Sequence, residues 1–243
     1  MPRLRLAALL TAGSLALAGC AGTPDTPAPA AAGTTTSATP TAPAAPALDA
    51  AEVGSAISAA AKQASAVHVK GTMAQDGSAV NLDLQLNADS ASGTVVKDGL
   101  EIPVVRVGDK YYFKFTDSLV KQAGVPAAAA KQITGKWVSS AAKIGAGIAD
   151  AFKMFLDYKS FTQGALGELE KTTFKPGEPT TVAGTPALSF PSSEGTATVA
   201  AAEPHYLLRM SDPKTGAMEF SDWNKPATVS EPPAAEIYSG PGS

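Results

Sequence analysis

Only one cysteine, Cys20, and two histidines, His68 and His205, occur in the 243 residues. One thiol cannot close a disulfide within the chain. A structural zinc site needs about four nitrogen or sulfur ligands at spacings such as H-x3-H or C-x-x-C, and none is present. Glycine-rich phosphate loops are missing, and the acidic residues are scattered with no two marked as a general acid and base. Nothing in the sequence calls for a cofactor or a metal. Lysine and arginine number 19 against 22 acidic residues, a formal net charge of −3. That balance argues against nucleic acid as a partner and against adhesion to an anionic membrane surface by charge alone. No apolar run reaches the ~20 residues of a membrane-spanning helix.

The absence of asparagine where it would be needed decides a second question. Lys214-Thr215-Gly216 is a K-T-G triplet, and Ser118-x-x-Lys121 and Ser140-x-x-Lys143 are each S-x-x-K, two signatures of β-lactam-binding serine enzymes. Those enzymes also need an S-D-N or its equivalent between the nucleophile and the K-T-G. Asparagine occurs only at 81, 87 and 224, so none lies between either serine and Lys214. The stretch "MSDPKTGAM" instead has the composition of a hairpin turn, with Asp212 and Pro213 opening it and Gly216 taking the positive φ. The reading is therefore not an enzyme.

What is present begins at the N-terminus. Arg3 and Arg5 precede an apolar Ala/Leu run from Leu6 to Ala18, which reads as a secretory signal over residues 1–19. It ends in Leu17-Ala18-Gly19-Cys20, which resembles the bacterial lipobox, where cleavage precedes the cysteine and the thiol is acylated. Cys20 is thus the expected lipidation site. Removal of both arginines leaves a net charge of −5, so attachment to the outer face of the cell membrane must come from the lipid; two or more acyl chains make a stable anchor. Residues 20–47, rich in Ala, Pro and Thr, hold no large apolar side chain and read as a disordered tether.

Residues 48–237 make one domain, followed by a flexible tail at 238–243. Asp49 with Glu52 suggests a capping box, and Val53, Ile57, Ala60, Ala61 and Ala64 share a helical face to about Ala66. The period then changes to two. Val80, Leu82, Leu84 and Leu86 alternate with polar residues, as do Tyr111, Phe113 and Phe115, and Tyr206, Leu208 and Met210. Between Asp117 and Lys171 alternation fades, and Ile144, Ile148, Phe152 and Phe155 fall on one stripe of a helix. Thr162 is a candidate cap for a second, shorter one ending near Lys171. Each histidine reads as an outward strand residue near a sheet end. Strands interrupted by a helical block predict an α+β fold with an antiparallel sheet.

The closing stretch "YLLRMSDPKTGAMEFSDWNKPATVSEPPAAEI", with "VGDKYYFKF" and "ITGKWV" ahead of it, resembles secreted bacterial lipoproteins of the LolA/LppX/LprG-like group of high-GC Gram-positive type. The resemblance implies a curved, open antiparallel β-sheet, a half-barrel, with helices on its concave side. It also implies a hydrophobic cavity carrying an acylated lipid or glycolipid. Tyr111, Phe113, Phe115, Ile148, Phe152, Phe155, Leu188, Phe190, Tyr206, Leu208 and Phe220 match the residue types that line such a space. Two readings stand at this point: a membrane-anchored lipid carrier, or an envelope-sensing or protein-binding module with a filled core and an envelope protein as partner.

Overall fold

The computed structural model describes residues 48–75, 77–214 and 216–240. Cys20, the signal segment and the tether lie outside the described residues. Helix α1 (Val53–Gln63) starts later and stops earlier than its sequence suggests. The Asp49 carboxylate accepts from the Ala51 N–H at 3.0 Å, making a turn ahead of the helix, and the first helical carbonyl is that of Glu52, accepting from Ala56 at 2.8 Å. There is no capping box. The helix cannot run to Ala66, because Ala66 already pairs with Asn87 in the sheet.

Strands β1 (Ala66–Gln75), β2 (Ser78–Asn87), β3 (Ser90–Lys97), β4 (Leu100–Val107), β5 (Lys110–Lys114) and β6 (Trp137–Ser139) form one meander. Strands β7 (Glu178–Val182), β8 (Thr185–Pro191), β9 (Thr196–Ala200), β10 (Leu207–Asp212) and β11 (Gly216–Ser221) form a second. Pairing of β1 with β11 fuses them into a single antiparallel sheet in the order β6-β5-β4-β3-β2-β1-β11-β10-β9-β8-β7. The end strands β6 and β7 do not meet, so the sheet stays open. Type-compatible hairpin tips account for the short connections: Asp98 and Gly99 both take positive φ, at 52° and 77°, between β3 and β4.

Alternation fixes which face is apolar. Val67 and Val69 oppose Leu86 and Leu84 across β1 and β2, and β3 to β5 continue that face with Ala91, Val95, Ile102, Val104 and Phe113. Each such buried side chain contributes ~1.5–3 kcal/mol relative to exposure. On the same face, two glycines permit the sheet to bend. Gly71 and Gly93 sit at φ 146° and 148°, and a Cβ there would lie 2.1 Å from the Ala217 carbonyl oxygen and 2.0 Å from that of Asp83. Glycine inside a strand marks such kinks.

The helical block covers this face. It comprises α2 (Asp117–Gln122), α3 (Ala127–Ile133), α4 (Lys143–Leu156) and α5 (Tyr158–Phe161), continued by a π turn at Thr162–Leu166 and a 3-10 turn at Gly167–Lys171. Strand β6 interrupts the block, which the sequence does not signal. Asp157, not Thr162, caps the second run: its carboxylate accepts from the Ser160 N–H at 2.7 Å. Thr162 instead donates its hydroxyl to the Tyr158 carbonyl at 2.9 Å. The α+β fold, an open curved antiparallel sheet with helices on one side, agrees with the expectation.

The opposite face is wet except where the C-terminal segment straps it. Asn224 accepts from Ser65 N–H at 2.8 Å, Asn87 donates to the Ala227 carbonyl at 2.9 Å, Tyr112 donates to Glu231 at 2.6 Å, and Tyr238 N–H donates to the Trp137 carbonyl at 2.8 Å. The strap runs one residue past the domain limit read from sequence and bridges the outer edge of β6 through Ile237.

Candidate functional site

The apolar interior lies between the sheet and the helical block, and it is one continuous cluster. It draws Val53 and Ile57 from α1, Phe155 and Leu156 from α4, Tyr158 and Phe161 from α5, and strand residues from Phe113 in β5 to Phe190 in β8. Most residues picked out by the sequence meet here. Phe113 is 0% exposed, and its ring faces the half-buried Phe152 with centroids 5.5 Å apart. Phe155, Phe190, Phe220 and Tyr111 are buried, and Leu188 and Tyr206 pack against them. Phe220 reaches the Phe161 ring at 6.5 Å, and Tyr206 stacks on Trp223 at 5.0 Å.

Three of the sequence-derived residues sit differently. Phe115 leaves the interior for a smaller cluster with Val120, Ile133, Val138 and Ala142, under α2 and α3, and Ile148 touches both clusters. Leu208 does not share the face of Tyr206 and Met210. The pairing of β10 with β9 shifts between Leu207 and Arg209, and this bulge puts Leu207, fully buried, in the core position. The Ile144 side chain lies outside what the structure describes. Met154 points outward, 48% exposed.

The interior has room at one end. Ala165 and Leu169 of the π and 3-10 turns, Phe174, Ala197 of β9 and Met210 of β10 line a cavity of about 230 Å³ whose rim carries Glu168, Glu194 and Asp212. Its floor is the main core itself, since Phe174 and Ala197 belong to that cluster. One wall is the irregular run 158–171, where α, π and 3-10 geometry succeed one another within 14 residues. Such departures from α geometry carry poorer hydrogen bonds and recur at functional hinges. Of these residues only Met210 and, as a turn residue, Asp212 drew attention in the sequence. Phe174, isolated between helical block and strand, was the signal available.

At the opposite end of the strands, where β4 ends and β5 begins, a charge is buried. Arg106 projects on the helix-covered face beside Tyr111, its partner in register. Its Nη2 lies 3.0 Å from Asp157 Oδ2, and its side chain is only 9% exposed. Its Cζ stands 5.9 Å over the Tyr111 ring. Nε and Nη1 are buried and have no hydrogen-bond partner. Burial opposes ionisation of Asp157, but the bonds from Ser160 and the charge of Arg106 outweigh it and hold the carboxyl below its usual range. Close by along the helical run, Tyr158 donates to the Ala61 carbonyl at 2.7 Å, locking α5 to α1. Burial, aided by Tyr206, pushes its phenol up to about 12.

The residues of the Ser-Lys signatures have structural places. Lys214 lies in the turn between β10 and β11, its N–H bonded to the Asp212 carboxylate at 2.7 Å; Thr215 lies outside the described residues. The Ser118 hydroxyl pairs with Thr116 at 3.0 Å, and that of Ser140 accepts from the Tyr111 N–H at 3.1 Å. His68 faces outward on β1 between Asp83 (2.8 Å) and Ser221 (3.3 Å). His205 lies in the loop before β10 rather than on a strand, its ring bonded to the Ala200 carbonyl at 3.0 Å. Among the described residues, no group of three or more His, Cys, Asp or Glu is placed to hold a metal ion, and no helix is long and apolar enough to cross a membrane.

No protein-family model and no curated protein sequence matches the chain. Among solved structures it is similar to LprF from Mycobacterium bovis, at 13% identity over 75% of this chain and 96% of that one, with a TM-score of 0.47. It is also similar to a chain of the Pseudomonas aeruginosa MucA/MucB complex, at 15% identity over 79% of this chain and 62% of that one, with a TM-score of 0.30.

Proposed function

We propose that the chain is an extracytoplasmic lipoprotein, anchored through Cys20, whose domain takes up the acyl chain of a lipid or glycolipid between sheet and helical block. The observation that carries this reading is the cavity at Ala165, Leu169, Phe174, Ala197 and Met210. It is apolar at its floor, continuous with the core, and walled on one side by helix of broken geometry. At about 230 Å³ it falls below the ~300–1,000 Å³ of pockets that enclose a whole ligand. An acyl chain therefore extends the cavity into the interior by displacing part of the helical layer, and the 3-10 turn at Gly167–Lys171, which buries no residue, is the first segment to move. A sixteen-carbon chain gains on the order of 12 kcal/mol from burial at ~0.8 per methylene, reduced by ordering costs.

A second reading has its own observation. Phe113, Phe155, Phe190 and Phe220 are already packed against other side chains, as in a filled-core module that binds an envelope protein with its outer surface. Photo-crosslinking separates the two. The full chain irradiated with a photoreactive fatty acid should be labelled within residues 158–174 and on β9 and β10. Label confined to the strapped outer face, or none, favours the filled-core module.

A further inference from the structure

We infer that Arg106 is the receptor for an oxyanion, a carboxylate or phosphate group, and that its source is the head of the acyl ligand. The inference rests on the acyl-ligand reading for that source, while the site itself stands on its own geometry. A guanidinium carries five N–H donors. Here Asp157 engages Nη2 alone, at 3.0 Å. The one N–H of Nε and the two of Nη1 are enclosed with no partner. Buried polar groups are almost always satisfied, and a charged donor left without an acceptor is the costly case. The Tyr111 ring, 5.9 Å from Cζ, favours the cation but accepts none of those hydrogens.

The surroundings select the missing partner. Arg106 lies one residue from the end of β4, at the margin of the interior rather than its middle. Its covering group, Asp157, stands at the junction of α4 and α5, where the helical layer changes direction. Leu156 and Phe155 on the preceding turn, with Phe113 next along the sheet face from Tyr111, belong to the apolar cluster that adjoins the site. The cavity under the π turn is a separate feature, towards the opposite ends of the strands and on β10 and β9, five and six strands across the sheet from β4. An anionic head at Arg106 sets its chain against the adjoining apolar cluster, beginning at Phe113 and Phe152. Arginine recognises carboxylate and phosphate alike through planar donors, so the shared chemistry is an oxyanion.

The test uses the purified, delipidated full chain and three probes: palmitate, 1-hexadecanol of the same chain length, and inorganic phosphate. A charge-assisted hydrogen bond predicts that palmitate binds roughly ten- to a hundredfold more tightly than hexadecanol. Arg106→Gln should abolish that preference and leave hexadecanol binding unchanged. Should Arg106→Gln fail to fold, Asp157→Asn supplies the second variant. It retains the guanidinium and removes its internal competitor, so palmitate should bind roughly tenfold more tightly than to the wild type. Equal binding of palmitate and hexadecanol by the wild type, or a preference that survives Arg106→Gln, overturns the inference while leaving the acyl-ligand reading intact. If neither chain binds but phosphate raises the melting temperature of the wild type and not of Arg106→Gln, the oxyanion site stands and the acyl ligand falls. If no probe acts, ordinary water satisfies Arg106 and both are wrong.

Discussion

Ala165→Phe tests whether the cavity under the π turn is used. Ala165 is half-buried on the cavity wall, facing Phe174, Ala197 and Met210 across about 230 Å³. A phenyl ring placed there fills the cavity of the delipidated protein without displacing a core side chain. Full burial of a phenylalanine contributes ~1.5–3 kcal/mol; with the mouth open on one side, about 1 kcal/mol is the reasonable share. For a domain of this size that raises the melting temperature of the delipidated variant by roughly 2–4 °C over the delipidated wild type. The same ring blocks the end of the acyl path, so lipid loading, measured by mass spectrometry of extracted protein, should fall at least severalfold. Stabilisation together with reduced loading is the expected pair. Stabilisation with loading unchanged would refute the assignment of the cavity to the acyl chain, and destabilisation would show that the wall cannot accept a ring.

Further expectations follow from other parts of the molecule. Phe113→Ala, at a fully buried position, should cost about 3–5 kcal/mol in urea unfolding, and Phe152→Ala, which loses a half-buried ring and one aromatic contact, about half that. Phe152→Asp should keep the fold and lower lipid loading; unfolding with no lipid in the wild type would speak for the filled core. Burial, with Glu231 for Tyr112 and Tyr206 for Tyr158, raises both phenols to about 12. The folded state therefore holds protons that the unfolded chain releases near pH 10, so stability measured by urea unfolding should fall between about pH 10 and 12. Lys214→Ala should change stability by no more than about 0.5 kcal/mol, and no covalent penicillin adduct should form on Ser118 or Ser140. Cys20→Ser should abolish metabolic palmitate labelling.

Period-two alternation made β2 legible residue by residue, because one face is buried and every slip would expose it; in β5 it placed Tyr111 and Phe113, but Tyr112 between them is buried as well and Phe115 lies past the strand. The same rule failed at Leu208, where a bulge inserts a residue and moves the core position to Leu207. Strand β6 was hidden inside a helical block because three residues are too few for a period to show. Capping was misassigned at both Asp49 and Thr162; each side chain finds a nearby backbone partner other than the expected one, a local competition that composition does not resolve. The Arg106–Asp157 pair joins residues on separate elements far apart in sequence, and no pattern marks either one. The cavity was equally silent, since space is a property of packing and its walls are ordinary Ala, Leu, Phe and Met.

On the proposed function an acyl chain occupies the space between sheet and helical block. Organic extraction and mass spectrometry of the protein purified from cells that secrete it, without added detergent, measure that occupant directly. The expected result is an anionic acyl lipid approaching one molecule per chain, lost in Ala165→Phe. Protein that is folded and monodisperse yet yields no stoichiometric lipid would contradict it.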